Sequence, residues 1–321
     1  MRAIRPKQTG GPEQLALEEM ATPAPGAGEA LVRVQAAGVN YIDVYHRTGL
    51  YPLPLPLPIG LEGAGVVEEV GREVRDLRVG DAVAWASAPG SYASHVIAPA
   101  EKLVPVRDGV AIDVAAGLLL QGMTAHYLTR TIFPLGPGHV ALVHAAAGGV
   151  GLLLIQIAKL AGSLVIGTVS TEAKAALARD AGADHVINYA TADFAPEVKR
   201  LTSGRGVDVA YDSVGKTTFD GSLDCLAPRG CLVLYGQSSG VVPPLDLARL
   251  AKGSYFLTRP TLVHYTATRS ELMARARDLF DLVAAGALRV RIGHTFPLAQ
   301  AADAHRALTG RATTGKVLLI P

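Results

Sequence analysis

Cysteine is scarce in this sequence, with only Cys225 and Cys231 among its 321 residues. Two cysteines cannot build a structural zinc site of the four-cysteine type, and such scarcity is typical of a reducing compartment. Residues 1–7 carry charges with no apolar stretch behind them, which argues against a secretory signal. We therefore predict a cytoplasmic location and two ordinary packed thiols.

A charge excess is also absent, because the 30 Lys and Arg residues are nearly balanced by 28 Asp and Glu residues. The sequence has no run of basic residues that would indicate binding to nucleic acid or to a membrane surface. Residues 131–158 contain no charged side chain, but Pro134 and Pro137 interrupt this stretch and paired glycines divide the rest, so we do not interpret it as a membrane span. Small molecules are the expected partners.

The length and the 49% hydrophobic content predict two domains with large cores. The first hundred residues show short strands separated by Gly and Pro, such as those around Val32 and Val66, and predict a barrel-like β domain. Residues 41–48 are expected to form a helical turn. The alternating prolines of residues 51–58 cannot join a central strand ladder, so we predict an extended surface loop there.

A helix predicted over residues 111–129 leads into a region where strands and helices alternate. The expected strands are 140–143, 164–169, 185–188, 207–211 and 231–235, and the expected helices are 172–181, 196–201 and 218–226. This alternation predicts a parallel sheet with helices on both faces. The segment from about Arg269 contains no further crossover unit, and we assign it to the first domain.

The stretch from Gly138 to Lys159 predicts a strand, a tight turn of small residues and a helix. Its residues 146–151, Ala-Ala-Gly-Gly-Val-Gly, match G-x-G-x-x-G with Ala in the first place. Small residues let the backbone approach a diphosphate, and the helix N-terminus offers N–H groups to it. Five predicted strand ends carry small or polar residues, at 145–148, 168–170, 188–189, 212–215 and 236–239. We therefore expect a dinucleotide in the crevice beyond these ends.

The end of the second strand of this sheet indicates which dinucleotide is bound. An acidic residue there usually holds the ribose hydroxyls of NAD, whereas this chain has Ser170, with Lys174 one helical turn later. A hydroxyl and an ammonium suit a 2′-phosphate, and Tyr189 could add a second hydroxyl, which favours NADPH. In the alternative interpretation, Ser170 caps the helix, Lys174 is solvated, and Glu172 contacts the ribose.

With these motifs, the chain resembles the zinc-free quinone oxidoreductases, the zeta-crystallin-like family of medium-chain dehydrogenases/reductases. The resemblance covers nearly the whole chain and is most specific in residues 138–159; residues 38–43, 60–65 and 212–215 also match family motifs. It implies a GroES-like β-barrel catalytic domain, residues 1–122 and 266–321, interrupted by a Rossmann domain with a doubly wound parallel sheet, residues 123–265. It also implies a homodimer formed through the Rossmann sheets.

The zinc-dependent relatives carry ligands where this chain has Asn40, Leu61 and residues near Leu120. Catalytic zinc needs three protein ligands. The nine histidines show no paired ligand spacing, and we expect no metal.

The resemblance also assigns site residues. Asn40, Tyr41 and Tyr45 line the nicotinamide end, and Thr124 and Tyr127 face them from the connecting helix. The remaining cofactor contacts are Gly148, Gly149 and Val150 at the diphosphate, Ser170, Lys174 and Tyr189 at the adenosine phosphate, Ser213, Gln237 and Ser238 along the ribose and diphosphate, and Phe256, Thr258, Arg259, Gly315 and Lys316 at the carboxamide side.

These assignments predict an NADPH-dependent quinone reductase. Reduction of an electron-poor quinone needs neither metal nor a strong general acid, and Tyr45 or a water held by Asn40 is a candidate proton source. One alternative is a reductase of α,β-unsaturated ketones or aldehydes. A second is a crystallin-like or RNA-binding protein, which the absent basic patch and the complete glycine turn disfavour.

Overall fold

The computed structural model describes all 321 residues and divides into two compact units. The first unit comprises Met1–Met123 and Thr266–Pro321, and the second comprises Thr124–Tyr265. The chain passes between them inside one helix and again after residue 265. The first of these passages falls one residue after the boundary expected from the sequence.

Fifteen strands and nine α-helices are numbered here in chain order. The strands are β1 (Arg2–Ile4), β2 (Leu17–Glu19), β3 (Glu29–Val39), β4 (Glu62–Val70), β5 (Ala82–Trp85), β6 (His95–Pro99), β7 (Val104–Pro105), β8 (Val140–Val143), β9 (Leu164–Val169), β10 (His185–Asn188), β11 (Val207–Asp212), β12 (Leu226–Leu234), β13 (Phe256–Thr258), β14 (Ile292–Pro297) and β15 (Lys316–Ile320). The helices are α1 (Tyr41–Thr48), α2 (Ile112–Tyr127), α3 (Gly149–Leu160), α4 (Glu172–Asp180), α5 (Phe194–Leu201), α6 (Phe219–Asp224), α7 (Ala248–Ala251), α8 (Arg269–Ala284) and α9 (Ala301–Thr309).

The first unit is built on a seven-stranded sheet centred on β3. Its order is β14-β15-β3-β4-β5-β7, and β6 also pairs with β3. One edge of β3 changes partner along its length, from β6 at residues 29–33 to β15 at residues 37–39. β3 has eleven residues, so this strand is longer than the short strands expected from the sequence.

The core of the first unit contains Trp85 and Tyr92, both fully buried, and the C-terminal segment joins it through Leu298. The proline-rich segment also reaches this core. Leu55 is 52% exposed, but Leu57 has no exposed surface. The expectation of a surface loop was therefore only partly right, because alternate apolar residues of this irregular segment point inward.

The second unit contains a six-stranded parallel sheet with the order β10-β9-β8-β11-β12-β13. This is the doubly wound order, in which the crevice lies where the strand order reverses, between β8 and β11. The predicted doubly wound parallel sheet is confirmed. One boundary was wrong: β12 begins at Leu226, five residues before the expected start, because Val207 already pairs with Leu226.

Two further expectations concern burial. Cys225 and Cys231 are free and buried, and burial raises their pKa values to about 12 and about 11. The prediction of packed thiols is confirmed. No helix has the length and apolar character needed to cross a membrane.

Candidate active site

The glycine turn after β8 leads directly into α3. Ala145 has a φ of +50°, and Gly148 begins the helix with extended backbone. Gly151 packs against the turn so closely that a Cβ would overlap the carbonyl oxygen of Ala145. The small residues at these places follow from this contact between helix and turn.

The N-terminus of α3 fits an anionic group. Its twelve residues begin without a side-chain cap, so the N–H groups of Gly149 and Val150 meet no side-chain acceptor. The first helical hydrogen bond runs from the N–H of Leu152 to the carbonyl of Gly148, at 2.9 Å. Such amides and the helix dipole are suited to a diphosphate. The residues present therefore fit a dinucleotide.

A buried hydrogen-bond network lies beneath this turn. His144 Nδ1 is 2.9 Å from Thr168 Oγ1, and His144 Nε2 is 2.9 Å from Ser222 Oγ. Ser222 donates to Asp212 Oδ2 at 2.9 Å, and Asp212 Oδ1 accepts from the N–H groups of Val214 and Gly215. The network thus joins the carboxyl ends of β8, β9 and β11, which form the crevice.

The hydrogen bonds of this network determine the tautomer of His144. Burial lowers the pKa of His144, so the imidazole is neutral. Ser222 has one proton, and both of its other neighbours, Asp212 Oδ2 and the carbonyl of Thr218, are acceptors. His144 therefore carries its proton on Nε2 and accepts from Thr168 at Nδ1. Sequence analysis missed this role, although polar residues at adjacent strand ends were the available signal.

The adenosine-phosphate residues of the prediction lie together at the ends of β9 and β10. Lys174 Nζ is 3.4 Å from Ser170 Oγ, and the N–H of Tyr189 donates to Val169 at 3.0 Å. Thr171, not Ser170, caps α4 by accepting from the N–H of Lys174. The alternative in which Ser170 serves as the helix cap is therefore wrong.

Glu172 was the other residue considered for the ribose. Its carboxylate pairs with Arg179 Nη1 at 2.5 Å on the exposed side of α4. Glu172 is thus paired with Arg179, while Lys174 lies beside Ser170.

The loops after β11 and β12 also meet. The N–H of Ser238 donates to the carbonyl of Ser213 at 3.1 Å, and a Cβ on Gly215 would lie 3.0 Å from Cα of Gln237. Ser213, Gln237 and Ser238 are thus brought to one place at the carboxyl ends of the strands.

The residues assigned to the carboxamide side lie on and after β13. Arg259 Nη1 donates to the carbonyl of Leu234 at 2.9 Å, which places its guanidinium at the end of β12. Thr258 pairs with Val233, whereas Phe256 pairs with Cys231, farther from the carboxyl end, and is 63% exposed. Arg259 and Thr258 thus lie closer to the crevice than Phe256.

Two expected residues lie at the start of the second unit. Thr124 is buried, and the ring of Tyr127 stacks on Tyr265 with centroids 4.3 Å apart and planes 4° apart. This stacking fixes the Tyr127 ring by packing.

In the first unit, α1 carries the candidate nicotinamide residues. Its first residue is Tyr41, whose ring centroid is 5.6 Å from that of Tyr45, and Tyr45 meets Tyr51 edge-on at 5.1 Å. Burial raises the pKa of Tyr41, against the opposing effect of Arg311, so its hydroxyl is protonated at neutral pH.

The side chain of Asn40, immediately before α1, is fully hydrogen-bonded. Its Nδ2 donates to Glu62 Oε2 at 2.8 Å and to the carbonyl of Gly38 at 3.3 Å. Its Oδ1 accepts from Lys316 Nζ at 2.9 Å and from Gln121 Nε2 at 3.2 Å. An amide has two donor hydrogens and two acceptor lone pairs, so all four are used within the protein.

Glu62 and Lys316 form a buried ion pair beside Asn40, and neither side chain has exposed surface. Glu62 Oε1 also accepts from the N–H of Leu120 at 2.7 Å. The ammonium of Lys316 therefore points into the unit and not toward a surface where a cofactor could reach it. Sequence analysis assigned no role to Glu62, although it named the motif that contains it.

A second buried chain of polar groups supports α1. Asp43 Oδ2 accepts hydrogen bonds from the N–H of Asn40 at 2.8 Å and from Tyr92 Oη at 2.9 Å. Tyr92 Oη also lies 3.0 Å from His305 Nε2. The other ring nitrogen of His305, Nδ1, lies 3.1 Å from Arg47 Nη1. Burial raises the pKa of Asp43 to about 7 and lowers that of His305 to about 3.

Comparison with known proteins places this chain among nicotinamide-dependent dehydrogenases and reductases. A family model described as "Alcohol dehydrogenase GroES-like domain" matches residues 26–108, and one described as "Zinc-binding dehydrogenase" matches residues 149–280. The chain is 48% identical to a quinone oxidoreductase of Pseudomonas aeruginosa, over 97% of each protein, and 47% identical to a 2-haloacrylate reductase of a Burkholderia species, over 97% of this chain and 96% of that protein.

A solved structure gives the same result. The Escherichia coli quinone oxidoreductase complexed with NADPH superposes with a TM-score of 0.97 and 42% identity, covering 100% of both chains. The chain belongs to the quinone oxidoreductase family of the medium-chain dehydrogenases/reductases.

The residues do not fit the zinc ion that the second family description implies. The chain holds no group of three or more His, Cys, Asp or Glu side chains that could bind a metal ion. At the three places where the resemblance puts the ligands of zinc-dependent relatives, the Asn40 amide already makes four hydrogen bonds within the protein, and the side chains of Leu61 and Leu120 have no atom that could bind a metal.

Proposed function

We propose that this protein is an NADPH-dependent reductase of quinones. The observation that carries the proposal is the second unit's binding surface, where an uncapped helix N-terminus and the adjacent Ser170 and Lys174 provide separate sites for a diphosphate and a 2′-phosphate. Relatives named quinone oxidoreductases, one of them solved with NADPH, support the same substrate and cofactor.

When bound, NADPH supplies the hydride. The protein binds the diphosphate at Gly148, Gly149 and Val150 and directs the phosphate-bearing ribose to Ser170 and Lys174. Ser213, Gln237 and Ser238 lie beside the same crevice, where they orient the rest of the dinucleotide. Holding the donor and acceptor in one orientation is the main contribution that such a site makes.

A proton must reach the reduced oxygen, and α1 is the proposed source. Asn40 cannot hold a water by its side chain, because all four hydrogen-bonding positions of its amide are used. Tyr45 is therefore one candidate donor, and Tyr41, whose hydroxyl is protonated at neutral pH, is a second.

Reduction of an activated alkene is the second candidate, favoured by the 47% identity to a 2-haloacrylate reductase. This reaction uses the same hydride but needs a proton at carbon. The protein would then act on a conjugated acid, ketone or aldehyde.

The deciding experiment is anaerobic oxidation of NADPH by chelator-treated protein, with a small quinone, a small enone and 2-chloroacrylate as separate acceptors. We expect rapid turnover with the quinone. Turnover with only the enone or 2-chloroacrylate would instead support reduction of activated alkenes. If NADPH were oxidised with none of the three acceptors, both candidate functions would be contradicted.

We also propose a homodimer formed through the edge of the parallel sheet. β13 pairs on one side only, with β12, and it displays Phe256 at 63% exposure. An unpaired strand edge bearing an exposed aromatic ring is a natural site for pairing with a second copy.

We also propose a cytoplasmic location, supported by the two free, buried thiols. Fractionation of the source cells, with this protein in the soluble cytoplasmic fraction, would test it.

A further inference from the structure

A buried cluster in the first unit joins four segments of the chain next to the start of α1. Glu62 of β4 accepts hydrogen bonds from Asn40, from the N–H of Leu120 in α2 and from Lys316 of β15. Lys316 Nζ also donates to Asn40 Oδ1 at 2.9 Å. The side chains of Glu62 and Lys316 are completely buried, so neither offers exposed surface to a ligand.

We propose that Lys316 is a positioning residue, which acts with Glu62 to fix Asn40 and through it the tyrosines of α1. This inference rests on the proposed function, because that function places Tyr41 and Tyr45 in the active site. It replaces the direct cofactor contact that the sequence suggested for Lys316.

The orientation of Asn40 is fully determined by this pair. Lys316 can only donate and Glu62 accepts, so the amide of Asn40 must turn its Oδ1 to the ammonium and its Nδ2 to the carboxylate. Its backbone N–H in turn donates to Asp43 Oδ2 at 2.8 Å, inside the first turn of α1. A shift of Asn40 therefore moves the start of the helix that carries both tyrosines.

Two glycines pack closely around the side chain of Lys316. A Cβ on Gly117 would lie 2.9 Å from Cγ of Lys316, and a Cβ on Gly38 would lie 2.7 Å from its Nζ. A buried ion pair is seldom more stabilising than a well-packed apolar pair, so stability alone does not explain it. The hydrogen bonds that Lys316 and Glu62 make to the amide of Asn40 indicate instead that the ion pair positions this residue.

The test uses the full chain with Lys316→Met, Glu62→Gln/Lys316→Met and a control, Lys7→Met. Lys7 forms an exposed ion pair with Glu18 in the same unit. Lys316→Met alone leaves an unpaired buried carboxylate and loses stability, whereas the double variant removes that charge and regains folding. In the double variant we expect kcat for the quinone to fall about 10- to 100-fold, as displacement of reacting groups produces.

Hydrogen exchange supplies a second readout that does not depend on turnover. Amides of residues 41–48 should exchange about tenfold faster in the double variant than in the wild type, while those of α3 stay unchanged. Lys7→Met should leave both measurements at wild-type values.

A milder variant keeps the test decisive if the double variant does not fold. Gln121→Met removes the other hydrogen bond to Asn40 Oδ1 without leaving a charge unpaired, and we expect a smaller change, about threefold, in the same two measurements. Wild-type kcat and wild-type exchange of residues 41–48 in the folded variants would overturn the proposal. If the wild type reduced no acceptor, the proposed function would fail, and the exchange rates alone would still decide the positioning role.

Discussion

At the scale of single residues, Asn40 and the first amides of α3 differ in how many of their hydrogen-bonding groups already have partners. Every donor and acceptor of the Asn40 side chain has a partner within the protein, which supports its proposed role in holding α1. The amides at the start of α3 have no side-chain acceptor, and these groups are suited to bind. The difference follows from burial and partners, which residue type alone does not show.

Lys174 gives the sharpest prediction for cofactor choice. Lys174→Ala removes the ammonium beside Ser170, and we expect NADPH binding to weaken by about 1.5–3 kcal/mol more than NADH binding, the range for a hydrogen bond to a charged group. Calorimetric titration with both cofactors measures this difference. Lys252→Ala is the matched control, because Lys252 is an exposed lysine of the same unit. Equal losses for the two cofactors would contradict the assignment of Lys174 to the 2′-phosphate.

Asp43 and His305 predict a pH dependence of stability. Asp43 has a folded pKa of about 7 against an ordinary 3.8, so its contribution to stability is lost as pH rises from 3.8 through 7. His305 has a folded pKa of about 3 against 6.5, so its contribution is lost as pH falls from 6.5 through 3. Between pH 3.8 and pH 6.5 the contributions of Asp43 and His305 to the free energy of unfolding therefore change in opposite directions with pH.

The variant Asp43→Asn removes one of these slopes. We expect its free energy of unfolding to fall steadily as pH decreases from about 6.5 to about 4, whereas the wild type changes much less over this range. Urea unfolding at several pH values measures both slopes. A variant with the same flat profile as the wild type would show that these two groups do not set the balance.

At the scale of elements, the contact between α3 and its preceding turn decides the shape of the proposed diphosphate site. The helix approaches the turn so closely that only glycine fits at residue 151. The network of His144, Ser222 and Asp212 holds the neighbouring strand ends in register from below. The cofactor surface is therefore a property of several elements packed together.

Gly151→Ala tests this contact. The added methyl group meets the backbone of Ala145, and overpacking of this kind costs about 1–3 kcal/mol. We expect NADPH and NADH to lose affinity by a similar factor, on the order of tenfold, because both use the same diphosphate site. Gly136→Ala is the control, since a Cβ there meets no atom within 4 Å. If Gly151→Ala bound both cofactors with wild-type affinity, the close contact at Gly151 would not be needed for cofactor binding.

At the scale of the whole molecule, the free edge of the parallel sheet predicts self-association. Phe256→Lys places a charge on β13, and such residues on edge strands oppose pairing. Light scattering after size exclusion should then give the single-chain mass of 33.3 kDa, where the wild type gives twice that value. Leu160→Lys, at an exposed apolar position on α3, should leave the mass unchanged. A wild-type protein of single-chain mass would contradict the dimer directly.

The sequence by itself determined the order of the elements, the glycine turn and the likeness to the quinone oxidoreductases. These depend on local patterns, such as apolar runs of strand length and small residues between a strand and a helix, which act over a few neighbouring residues. The strand 207–211 and the helix 196–201 were recognisable in this way, and the structure shows them as Val207–Asp212 and Phe194–Leu201. The start of β12 was not, because pairing with β11 extends it.

Tertiary structure alone decided which polar residues are partners. Asn40, Glu62, Gln121 and Lys316 are far apart in sequence, and only the pairing of β3 with β4 and β15 and the packing of α2 bring them together. The same holds for His144 and Ser222. Hydrogen bonds between distant segments depend on the folded backbone, so the sequence showed Lys316 as a candidate ligand contact while the structure shows it bound to Glu62 and Asn40.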